Sequence, residues 1–77
     1  MSTDWKIPLL TIESMPYLVQ LNRAPNEDDF EVALSLGYEK LERKLPLEDA
    51  SDLYCDFDAN YSDYVSAIRA RFFEIKK

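Results

Sequence analysis

The chain has 77 residues, with 47% hydrophobic and 31% charged side chains, a single glycine and a formal charge of −6. This composition fits one small globular domain over residues 1–77, near the size where a single core only just offsets the entropy of folding, and excludes a disordered or collagen-like chain. The negative charge disfavours direct contact with nucleic acid or with an anionic membrane, and makes a basic protein the expected partner.

Histidine is absent, which removes the commonest general base and the commonest metal ligand together. The expectation is a protein that is not an enzyme and uses no cofactor or metal. Cys55 is the only cysteine, so an intramolecular disulfide cannot form. It has no neighbouring lysine or arginine to lower its pKa, and reads as a half-buried small hydrophobe. Met1-Ser2-Thr3-Asp4 lacks the basic-then-apolar order of a secretion signal, so a cytoplasmic location is expected. No apolar run approaches the roughly 20 residues needed to span a bilayer.

In chain order, Trp5, Ile7 and Leu9 alternate around Pro8, which predicts an extended N-terminal arm over residues 1–12. Ser14 then caps a short helix over 14–22, with Pro16 in its first turn and Met15, Leu18 and Val19 facing the core. A second helix over 26–45 is the best-marked element. Asn26 and Asp29 form a capping-box-like start, and Glu27, Asp28 and Asp29 favour the positive end of the helix dipole. Lys40, Arg43 and Lys44 fall in its last turns, and Pro46 stops it. Phe30, Leu34, Tyr38, Leu41 and Leu45 recur on one face, and Gly37 beside them allows close approach of another backbone.

Leu53, Phe57, Tyr61, Tyr64, Ile68, Phe72 and Ile75 hold helical spacing through the last third. That spacing alone is compatible with one long helix, but Asn60 and Asp63 repeat the Asn-x-x-Asp signature, which favours a division into helices over 50–57 and 60–76. The expected fold is mainly α, a small three- to four-helix bundle with an extended N-terminal arm. Tyr38, Tyr61 and Tyr64 are expected to be walls of its core.

Between Leu45 and Ile68 there is no lysine or arginine, while Glu48, Asp49, Asp52, Asp56, Asp58 and Asp63 are interleaved with Tyr54, Tyr61 and Tyr64. Aromatic anchors among carboxylates suit a surface that recognises a basic protein. The simpler explanation is solubility, and helix-dipole stabilisation accounts for Glu48, Asp49 and Asp52 but not for Asp56 and Asp58. Exposure of Tyr54 between Asp52 and Asp56 discriminates the two. Asp56, Asp58 and Asn60 also match the first ligand positions of an EF-hand loop, but Tyr61 replaces its glycine and Ala67 its glutamate, so a solvated acidic loop is expected instead.

Tyr17-Leu18-Val19-Gln20-Leu21, Asn26-Glu27-Asp28-Asp29, Ser51-Asp52-Leu53-Tyr54 and Val65-Ser66-Ala67-Ile68 occur in an order that resembles the immunity proteins of DNase-type bacteriocins, small acidic four-helix proteins. The chain departs from that pattern at Cys55, where a second tyrosine is expected, and lacks the following proline and the tryptophan of the closing helix. The resemblance implies that Asp52 and Tyr54 supply shared binding energy, while Glu27, Asp28, Asp29 and Val32 select the partner, a nuclease blocked from its DNA.

Small acidic phage proteins that disarm host defence nucleases, of the anti-CRISPR type, give a related expectation. Asp52 and Asp56, one turn apart at roughly 6 Å along a helix, approximate the spacing of neighbouring phosphates. The alternative is a helical adaptor or assembly subunit, with Ala59, Ser66, Ala67 and Ala70 marking a packing face.

Overall fold

The structure is a computed structural model that describes residues 5–76. Those residues form four helices and no strand: α1 over Lys6–Val19, α2 over Glu27–Lys44, α3 over Leu47–Ala59 and α4 over Tyr61–Lys76. None of these helices is long and apolar enough to cross a membrane.

The expected arm is a correction. Residues 6–12 are helical, and residues 1–4 of the arm lie outside the described residues. Pro8 is the third residue of α1, where a backbone N–H has no intrahelical acceptor, so it does not oppose the helix. The first bond follows directly, from the Leu9 N–H to the Trp5 carbonyl at 3.1 Å. The buried positions Lys6, Leu10, Thr11, Ser14, Met15 and Leu18 then recur at helical spacing.

Ser14 does not cap a helix. It is buried inside α1 and its hydroxyl donates to the Leu10 carbonyl at 2.7 Å. Pro16 is likewise internal, so the Ile12 carbonyl loses its usual partner; both residues are exposed, and water can replace that bond. Val19, expected inside, is 46% exposed.

Helix α2 begins as its sequence predicts. Asn26 Oδ1 accepts from the Asp29 N–H at 3.0 Å, and Asp29 Oδ2 accepts from the Asn26 N–H at 2.9 Å. Arg43 and Lys44 occupy the last turn. Helix α3 starts directly after Pro46, earlier than expected, with the Ala50 N–H bonded to the Pro46 carbonyl at 2.9 Å. Only Asn60 separates α3 from α4. Its carbonyl accepts from the Asp63 N–H at 2.9 Å, while its side chain turns back to Asp56 Oδ1, also at 2.9 Å. The break is where the sequence puts it, but the backbone rather than the asparagine side chain makes the start of α4.

The core lies between α1, α2 and α4, where Leu10 and Leu18 meet Phe30, Ala33, Leu34 and Leu41, and Tyr64, Ile68 and Phe72 close the far side. Leu53 is the only buried residue of α3. Helices α1 and α2 cross closely at Gly37: a Cβ there would lie 2.5 Å from Ser14 Oγ and 3.1 Å from the Ser14 nitrogen. Ion pairs tie the outer faces, Lys44 to Glu13 at 2.9 Å and Arg69 to Glu27 at 2.7 Å.

Candidate functional site

An aromatic column fixes the side chains around α3. Phe57, half-buried on α3, stacks on Tyr38 of α2 at 5.5 Å with the rings within 9° of parallel. It meets Tyr61 and Tyr64 of α4 edge-on, each at 5.3 Å. Tyr54 packs against Tyr38 at 6.2 Å, with the rings tilted, and remains 56% exposed. The consequence is a tyrosine supported by a neighbouring ring yet more than half exposed. That arrangement suits an anchor, because the ring is oriented before any partner arrives.

Around Tyr54 runs an open groove of about 270 Å³, lined by Tyr38, Glu42, Leu47, Ala50, Ser51 and Cys55. Burial, then the nearby Glu42 carboxylate, raises the pKa of Tyr38 above its ordinary value, so this wall is a neutral phenol at physiological pH. Leu47 is 85% exposed, the most exposed large apolar side chain described. It is the first residue of α3, directly after Pro46. Cys55 is exposed rather than half-buried.

The acidic residues divide into distinct roles. Asp58 is exposed one turn beyond Tyr54 on the same face of α3, and Asp63 is exposed in the first turn of α4. Asp52 lies at the surface but pairs with Lys6 at 3.3 Å, an ammonium whose side chain is 3% exposed. Asp56 points inward and accepts from the Tyr64 hydroxyl and from Asn60 Nδ2. The two carboxylates expected to imitate neighbouring phosphates are therefore each engaged within the fold. Asp56, Asp58 and Asn60 lie at the helical end of α3, and among the described residues no carboxylate or cysteine group is assembled as a metal site.

On α2, Glu27 pairs with Arg69, and Asp29 is buried by its cap and by Arg23, whose Nη2 lies 3.1 Å from Asp29 Oδ1. The Arg23 hydrogen bond, followed by that from the Asn26 backbone, holds the Asp29 carboxyl below its ordinary pKa. Asp28 and Val32 remain exposed, beside Tyr61 rather than Tyr54. Tyr61, expected in the core, is 36% exposed. The candidate residues thus form two surfaces, one around Tyr54 and one around Val32. Leu47 and Leu36 belong to these surfaces although the sequence did not single them out as contact residues, and Tyr61, read both as an anchor and as a core wall, lies on the second surface. The signal for Leu47 and Leu36 was that neither belongs to a core-facing series.

No protein-family model, curated protein or solved structure matches the chain.

Proposed function

We propose that the chain is a small acidic inhibitor that binds a basic nucleic-acid-processing protein, a nuclease or defence effector, and occludes its nucleic-acid path. The observation that carries this reading is Tyr54. It is more than half exposed, braced by Tyr38, and set beside Leu47 in a groove with Asp58 one turn away. Solubility favours surface carboxylates but gives no reason to expose a leucine and a supported tyrosine together. Asp58, Asp63 and Glu48 steer a basic partner, and Tyr54 and Leu47 bury themselves in it.

Such a binder acts as an immunity protein or as a phage anti-defence protein of the anti-CRISPR type. Both block access by seating an acidic protein where nucleic acid would lie. The bound target would retain its fold and lose nucleic-acid binding. Capture of partners from the source cell on the tagged chain, with mass spectrometry, tests the reading. A basic nucleic-acid-binding protein whose activity falls on adding the chain is the expected result; enrichment of only acidic or neutral assembly components would overturn it.

The adaptor alternative draws on Phe73 and Ile75 of α4, which are 53% and 48% exposed, beside a shallow surface at Ala67 and Ala70. An obligate oligomer by size measurement, formed through α4, would favour it.

A further inference from the structure

We infer that the groove between α2 and the start of α4 is a second anchor, and that its occupant is a basic amphipathic helix of the partner. Val32 and Leu36 sit one turn apart on the outer side of α2 and are 42% and 40% exposed. With Tyr61 they line an open groove of about 400 Å³, completed by Asp28, Glu31 and Ser35. Tyr61 is held edge-on by Phe57, which is itself stacked on Tyr38. This wall is therefore in place before binding, which reduces the ordering cost of association.

Charge selects among occupants. Neither Asp28 nor Glu31 pairs with a cation among the described residues, so an incoming lysine or arginine displaces no internal partner. The same carboxylates repel nucleic acid and acidic peptides. Val32 and Leu36 form a ridge with four-residue spacing, which packs best against a helix presenting its own apolar residues at that spacing. The groove thus fits a helix with two apolar side chains one turn apart and lysine or arginine beside them. The inference rests on the inhibitor reading for the basic character of the partner; the groove itself is separate from the one at Tyr54.

A synthetic helical peptide with two leucines one turn apart and flanking lysines, titrated into the 15N-labelled chain, is the test. Saturable amide shifts at Val32, Ser35, Leu36 and Tyr61 are expected. A peptide with both leucines changed to serine, and one with lysines changed to glutamate, should each bind about tenfold more weakly or worse. Leu36→Lys should weaken the lysine–leucine peptide to a similar degree with an unchanged circular dichroism spectrum; Glu31→Lys gives the same readout should Leu36→Lys fail to fold. Shifts confined to Leu47, Ser51 and Tyr54 would overturn the inference while leaving the proposed role of α3 standing. Equal binding of the serine peptide, or no shifts at millimolar peptide, would also overturn it.

Discussion

The Tyr64 hydroxyl donates to the Asp56 carboxylate across the junction of α4 and α3, and the burial of this tyrosine together with that bond makes stability fall at alkaline pH. Burial first, and the Asp56 bond second, push the Tyr64 pKa well above the ordinary value of 10. The neutral phenol is the form the fold prefers. Its contribution is complete below about pH 10, where tyrosine in the unfolded chain ionises, and is lost as pH rises above that value. Denaturant midpoints should fall on the alkaline side of pH 10. Tyr64→Phe should flatten that decline and cost about 0.5–1.5 kcal/mol near neutrality through the lost hydrogen bond. Tyr38 and Tyr61, whose pKa values are also raised, would retain part of the slope.

At the acid end Asp29 contributes in the opposite sense. Its lowered pKa means stability that is present above about pH 4, where an unfolded aspartate is ionised, and lost as pH falls through the folded value. Arg23→Gln should move the acid unfolding transition to higher pH. Asn26→Ala should instead lower neutral stability by about 0.5–2 kcal/mol through the lost cap, because the Asn26 N–H still reaches Asp29. Acid titrations followed by circular dichroism, with denaturant melts at neutral pH, separate the two effects.

Gly37→Ala tests the crossing of α1 and α2. Alanine gains about 1 kcal/mol of helix propensity over glycine, so an exposed site would be stabilised. Here the added carbon meets Ser14 Oγ, which its bond to Leu10 holds in place, and the Ser14 and Glu13 backbone at 3.1 and 3.2 Å. Overpacking of this kind costs about 1–3 kcal/mol, so a net loss is expected from melts. The loss should be smaller in a Ser14→Ala background, where the nearest atom is gone and only the backbone contacts remain.

Binding kinetics with the captured partner should distinguish steering from anchoring. Asp58→Lys combined with Asp63→Lys is expected to slow association and flatten its salt dependence. Tyr54→Ala should mainly speed dissociation, with a loss of about 2 kcal/mol or more. Charge reversal at Asp52 or Asp56 does not report on binding alone, since it removes the partner of buried Lys6 or of Tyr64. Unchanged affinity in both Asp58/Asp63 and Tyr54 variants would move the binding face away from α3.

The helical class, the α2 cap and the burial of Leu34, Leu41 and Ile68 were legible because local chemistry and periodicity agree there. Helix α1 was misread because Pro8 resembles a helix breaker until its place in the first turn is known. Ser14 looked like a cap for the same reason: a buried serine bonded to the preceding turn and a capping serine are alike in sequence. At the candidate site, Tyr61 and Tyr64 lie in one periodic series, yet Tyr61 is 36% exposed and Tyr64 is buried. Which carboxylates are left unpaired depended on partners in other helices, Lys6 for Asp52 and Tyr64 for Asp56, and no local pattern encodes those pairings.

Helix α3 buries Leu53 alone and joins α4 through a single residue, so the segment that carries Tyr54 and Leu47 has little core of its own. Local opening is easiest where apolar burial is least, and amides of α3 are the natural first to exchange with solvent. On the proposed reading, a partner closing over Tyr54 and Leu47 would add apolar contact to what Phe57 already makes with Tyr38, Tyr61 and Tyr64. Recognition and local stability of α3 would then be linked: a bound chain is stabilised by mass action, and the amides of α3 should exchange more slowly in the complex than in the free chain.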